Sequence, residues 1–171
     1  MSAPVYDKRW LLEVGGFDEQ LPCAQEYDLN IRLACHGRKW FHMREVLYAV
    51  RRRETSVSSD YVRILRHHEH ILLRAKRVLE ERGEFTDQRA EYIAGKLADD
   101  ARKFLRFGKL KDARRFFRLA RSVHSSGGIS VAYSRSTRFL VRVIGPWLTE
   151  NLVRMKRNAR GPKTYPGDRV L

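Results

Sequence analysis

Cysteine is scarce in this chain. Two thiols, Cys23 and Cys35, stand among 171 residues, and no CxxC pair occurs. That excludes a disulfide framework and reads as a pair of reduced, structural thiols. Long apolar runs are also lacking. No segment approaches the roughly 18–20 apolar residues that span a bilayer. The longest candidate, FLVRVIGPWL at 139–148, is short and carries Arg142. The first 15 residues hold no continuous apolar stretch, so no secretory signal is read there. Acid is in short supply in one part only. Residues 1–59 hold nine Lys/Arg and eight Asp/Glu, a balance of +1, whereas residues 60–171 hold 26 and 12, a balance of +14. A charge step of that size implies two regions with different tasks.

What is present suffices for a folded core, because 43% of the residues are hydrophobic. Trp10, Leu11 and Val14 predict a short helix stopped by Gly15 and Gly16. Leu29, Ile31 and Leu33 predict a second helix over about 27–36, closed by Gly37. KWFHM at 39–43 and VLYAVRR at 46–52 are rich in aromatic and β-branched residues and predict two short strands. From Asp60, a candidate cap, the period becomes helical. Ile64, Leu65, Ile71, Leu72, Val78 and Leu79 mark one long helix ending near Gly83. A second spans about 87–107, with Ile93, Ala94, Leu97, Ala101, Phe104 and Leu105 inward. A third carries Ala113, Phe116, Phe117 and Ala120, and a basic segment from Ile129 to about Asn158 is interrupted at Gly145–Pro146.

Within this frame, residues 11–33 gather Glu13, Asp18, Glu19, Glu26 and Asp28 beside a glycine pair. The order is GGFDE, then an acid nine residues after its Phe, then YDLNIRL, then two strand-like runs, then RRRETSVS. Over about residues 5–59 this resembles the C-terminal half of the catalytic domain of family 2 glycosyltransferases, which are inverting enzymes of GT-A fold. The resemblance implies an α+β fold, mostly α: a partial GT-A remnant over 1–59, followed by a helical hairpin and a basic helix. It implies that Glu26 is the catalytic base. An inverting transferase needs a carboxylate to take the acceptor hydroxyl proton as that oxygen attacks the sugar. A helix N-terminus favours its ionised form. The family commonly has Asp there, and a longer side chain stands in this chain. The same carry-over makes Gly15, Gly16, Asp18, Asp28, Arg51 and Arg53 substrate-binding, with the arginines near the leaving diphosphate. A histidine is common where Arg53 stands; arginine neutralises phosphate but is a poor metal ligand.

The family's nucleotide-binding half, with its DxD motif, has no counterpart in these residues. The expectation is therefore a fragment inactive alone, whether a truncated gene product, a split enzyme with a separate N-terminal half, or a remnant. No cofactor is expected in this chain; Mg²⁺ or Mn²⁺ belongs to the complete enzyme, and no residue is assigned to a metal. His67, His68 and His70 read as a polar helix face. Partners of the complete enzyme are a nucleotide-sugar donor and a glycan or lipid-linked acceptor.

Residues 60–124 read as a helical extension whose LRFGKLKDARRFFRLA resembles one tetratricopeptide-like hairpin, residues 125–160 as a basic amphipathic segment, and 161–171 as a disordered tail. Residues 124–171 carry nine Lys/Arg against two acids, with Trp147 among apolar residues. That suits either an anionic membrane surface or a core-covering helix with snorkelling arginines. The expected location is cytoplasmic, with peripheral attachment to the inner face of the membrane as one option. The alternative function is a basic helical membrane adaptor or nucleic-acid-binding module without catalysis. Nucleic acid is disfavoured, since no recognised motif appears and the cations are dispersed over several helices.

Overall fold

The structure, a computed structural model, describes residues 4–41 and 60–159. Among the described residues seven helices follow in order: α1 (Lys8–Glu13), α2 (Gln25–Cys35), α3 (Tyr61–Glu81), α4 (Asp87–Arg106), α5 (Leu110–Val123), α6 (Ile129–Ala132) and α7 (Arg135–Ala159). The α+β class is corrected by this: among the described residues every regular element is a helix and there is no strand. Lys39, Trp40 and Phe41, read from the sequence as the start of a strand, are irregular chain. Aromatic content alone does not make a strand without a neighbour to take its backbone hydrogen bonds. The rest of that run, the second strand, Arg51 and Arg53, and the tail after Arg160 lie outside the described residues.

The chain forms two compact units, Met1–Thr86 and Asp87–Leu171. Helix α3, which the sequence reading assigned to the helical extension, belongs to the first unit, where it packs on α2. Its Leu65, Ile71, Leu72 and Leu79 are buried, as are Leu29 and Leu33 of α2. Each such side chain contributes about 1.5–3 kcal/mol of burial. The Asp60 carboxylate caps α3 by accepting from the Arg63 N–H at 3.0 Å. Helix α1 buries none of its residues. Polar contacts tie it down instead: Arg38 pairs with Glu13, and its guanidinium lies 5.1 Å from the centre of the Trp10 ring. Cys23 and Cys35 are buried and not disulfide-bonded.

In the second unit α4 and α5 form the predicted hairpin. Phe104 and Phe116 are buried against each other with ring centroids 4.9 Å apart, and Ala94, Ala98, Ala101, Ala113 and Ala120 let the helix backbones approach. Helix α6 comes so near α4 that a Cβ on Gly128 would lie 2.2 Å from the Ala94 carbonyl carbon and the Gly95 nitrogen. Gly128 also has φ of 68°, so both space and backbone demand glycine there. Helix α7 bends at Gly145, where Thr149 Oγ1 donates to the Gly145 carbonyl at 2.8 Å. One turn on, buried Glu150 accepts from Arg102 Nε at 2.6 Å and Arg106 Nε at 2.9 Å. Arg102 also donates to the Ala132 carbonyl and stacks 4.1 Å from the centre of the Tyr133 ring. One carboxylate thereby ties α7 to α4, and its arginine ties α4 to α6.

Two groups of this unit hold their protons unusually firmly. Burial, reinforced by the Glu150 charge, pushes the Tyr133 phenol well above its ordinary 10.0. For Lys103, burial works to lower the pKa, but hydrogen bonds to Asp100 and Asp99 more than offset it, and the ammonium is held well above 10.5.

Two stability predictions follow from this packing. Gly128→Ala is expected to cost about 2–4 kcal/mol in urea unfolding, the sum of left-handed strain and overpacking. Gly95→Ala should also destabilise, because its Cβ would lie 2.3 Å from the Val131 Cβ, an atom that moves only with the α6 backbone, and a helix gain of about 1 kcal/mol offsets only part of that clash. Unchanged stability of either variant would contradict the close approach of α6 to α4. Through these two groups thermal stability should fall as pH rises above about 10. There the unfolded chain releases protons that folded Tyr133 and Lys103 retain. Tyr133→Phe should make the alkaline fall shallower, read by melting curves across pH.

Candidate functional site

The first unit answers why acids cluster beside a glycine pair. Helix α1 ends in a Schellman turn: Gly15 N–H donates to the Leu12 carbonyl at 3.1 Å and Gly16 N–H to the Leu11 carbonyl at 2.7 Å. Both glycines have positive φ, 80° and 67°. No atom lies within 4 Å of where a Cβ would stand on either, so that side of the turn is open. The turn leaves the carbonyls of Val14 and Gly16 pointing towards α2. Arg32 takes both, through Nη1 and Nη2, the latter at 2.7 Å. Its Nε donates to Asp28 Oδ2 at 2.7 Å, one turn earlier on the same helix. The side chains of Arg32 and Asp28 are 8% and 1% exposed. A buried charge is tolerated only when paired and hydrogen-bonded; Asp28 Oδ2 meets that condition through Arg32, whereas Asp28 Oδ1 has no hydrogen-bond partner among the described residues.

Arg74 of α3 adds the second half of the lock. Its Nη1 donates to Asp18 Oδ2 at 2.9 Å and lies 3.6 Å from Asp28 Oδ1. The other Asp18 oxygen accepts from the Gln20 N–H at 3.0 Å, closing the turn after GGFD. Gly15, Gly16, Asp18 and Asp28 are therefore brought together, and Arg32 and Arg74 hold them. Asp28 is sealed away from solvent and acts as the anchor of the loop, not as a group that reaches a ligand. Asp18 is half-buried and engaged on both oxygens.

Glu26 stands apart from this lock. It lies exposed in the first turn of α2, just after Ala24, whose φ of 63° is left-handed for a residue with a Cβ. That strain costs about 1–2 kcal/mol and sets where the helix begins. Asn30, one turn beyond Glu26, accepts a hydrogen bond from the Tyr6 hydroxyl at 2.9 Å. Burial raises the Tyr6 phenol pKa, the Glu26 charge raises it further, and the Asn30 contact offsets part of the rise. Trp40 meets Tyr6 edge-on at 5.8 Å. An exposed carboxylate, a phenol, an amide and an indole thus share one side of α2. A carboxylate so placed can accept a proton from a hydroxyl brought within about 2.6–3.2 Å.

Tyr6, Asn30, Trp40 and Arg74 were missed by sequence reasoning. Asn30 could have been found from its place one turn after Glu26; Arg74, 56 residues from Asp18, carries no local signal. His68 of the histidine run packs 4.4 Å from Tyr27, ring centre to ring centre. Among the described residues no group of three or more His, Cys, Asp or Glu could hold a metal ion, and no helix is long and apolar enough to cross a membrane.

Comparison with family models, with curated proteins and with solved structures gave no match in any of the three. The reading of the site rests on the motif and this geometry.

Arg32→Gln and Asp28→Asn should each destabilise the first unit by about 3 kcal/mol, because each strands a buried partner. A double-mutant cycle should return a coupling of about 1–3 kcal/mol. Additive losses in urea unfolding would show that the two do not act as one lock.

Proposed function

We propose that the first unit is the acceptor side of an inverting sugar-transfer site, related to family 2 glycosyltransferases. Glu26 is its base, and the donor-binding half lies outside these residues. In the reaction, the acceptor hydroxyl gives its proton to the Glu26 carboxylate as its oxygen bonds to the anomeric carbon. The bond from that carbon to the diphosphate breaks on the opposite face, and the nucleoside diphosphate leaves with the electron pair. The acceptor is a glycan or a lipid-linked sugar, and the working compartment is the cytoplasm. A divalent ion would assist the leaving diphosphate on the donor half, and no step on this chain runs through it.

The observation that supports this reading most is the division of labour among the acids. Asp18 and Asp28 are consumed in fixing GGFDE against α2. Glu26 is left exposed on that rigid frame beside Tyr6 and Asn30. Glu19 is exposed as well; what sets Glu26 apart is the Tyr6 phenol near enough to feel its charge, and a catalytic carboxylate must keep its oxygens for substrate.

Fusing the chain behind the donor-binding half of a family 2 enzyme should give acceptor-dependent release of nucleoside diphosphate. Glu26→Gln should lower kcat by about 10²–10⁴-fold, while the exposed side chain's loss of charge in the first turn of α2 should cost stability no more than about 1 kcal/mol. A fused enzyme that turns over equally well with glutamine at this position would refute the assignment. Turnover by the unfused chain would refute the requirement for a separate donor half.

A further inference from the structure

Helix α7 divides its residues unusually. Between Ser125 and Ala159 the sequence has six Lys/Arg and one acid, Glu150. That acid is turned inward, 3% exposed, and committed to Arg102 and Arg106. Val141 and Thr149 are buried with it. On the outward side Phe139 is 69% exposed, Val143 63%, Trp147 51% and Met155 66%, with Leu140 and Leu152 also exposed. Arg135 and Arg142 are exposed among them. The outward face therefore combines large apolar side chains with cations and carries no acid at all. The apolar positions 139, 140 and 143, then 147, 152 and 155, run along both arms of the helix across its bend at Gly145. A small cavity of about 310 Å³ opens beside Trp147, lined by Pro146, Leu105, Leu110 and Phe117.

We propose that this face of α7 docks on an anionic lipid surface, lying in the plane of the headgroups. Two features of the face select that occupant. Its charge is of one sign, and the Asp87–Leu171 unit as a whole holds 20 Lys/Arg against seven Asp/Glu, a balance of +13. Complementary anionic headgroups attract such a unit over about a Debye length. Its apolar side chains, among them the adjacent pairs Phe139–Leu140 and Trp147–Leu148, protrude beside Arg135 and Arg142, which an interface of acyl chains and headgroups accommodates and a water-facing phosphate backbone does not. Trp147 is the side chain suited to the headgroup level, apolar in body with one polar N–H. Helix α7 has 25 residues but is not apolar enough to cross a membrane, so it lies on the bilayer. The docking needs none of the groups assigned to sugar transfer. It would hold even for a chain without catalysis, and would place an attached transferase beside lipid-linked acceptors.

The test is co-sedimentation of the full chain with vesicles of phosphatidylcholine alone or mixed with phosphatidylglycerol, at low and high salt. Binding should require the anionic lipid and weaken with salt, and Trp147 fluorescence should shift to the blue, a shift absent from Trp147→Phe. The triple change Phe139→Ser, Val143→Ser, Met155→Ser alters exposed side chains only. It should lower partitioning by at least about tenfold with circular dichroism unchanged. Arg135→Gln with Arg142→Gln should lower it by about fivefold per residue. Glu26→Gln should leave it unaltered, so failure of this proposal and of the sugar-transfer reading would be told apart. Equal binding to neutral vesicles, no effect of the serine changes, or binding to duplex DNA with none to vesicles would overturn it.

Discussion

A carboxylate taken out of water must find cations aimed at it, and both compact units are built around one such group. In the first, Asp28 is enclosed and Arg32 and Arg74 converge on it. In the second, Glu150 is enclosed and Arg102 and Arg106 converge. Each pairing does more than neutralise charge. The arginines also donate to backbone carbonyls that packing alone would leave unserved: Val14 and Gly16 in one unit, Ala132 in the other. An arginine offers five N–H groups in a fixed fork. It can therefore fasten a helix to a loop and to a second helix at once. Leaving either carboxylate without its partner would cost more than the pair contributes, so the constraint fixes geometry more than it adds stability.

The lock in the first unit also explains what kind of surface remains. With Asp18 and Asp28 occupied, the open side of the Gly15–Gly16 turn and the exposed Phe17, Glu19 and Glu26 are parts of the motif left at the surface. The helix stop that the glycines provide and the rigid frame of the acids are one device: the turn presents two carbonyls, and Arg32 converts them into an anchor. On the Glu26 side Tyr6 and Asn30 are fixed by the hydrogen bond between them.

Much of the helical framework was legible because it follows from local rules. The hydrophobic period over 61–81 and 87–106, the Asp60 cap, and the glycines at 37, 83 and 108 each mark a boundary that the structure keeps within a residue or two. The aromatic start of the expected strand misled for the converse reason. Strand propensity reports how a side chain fits a sheet surface, and Trp40 fits equally well on the edge of Tyr6. For α7, composition alone left a core-covering helix and a surface-lying helix equally open. Only the inward turn of Glu150 and Val141 showed which apolar residues stay outside.

The sequence by itself determined where helices start and stop, which acids crowd the GGFDE segment and how steeply charge rises after residue 59, because each depends on neighbours a few positions away. Tertiary structure alone decided which of those acids are free. Arg74 reaches Asp18 across 56 positions and Arg102 reaches Glu150 across 48. No local pattern encodes partners so distant, since they meet only after helix packing has brought them within the few ångströms over which a buried ion pair acts.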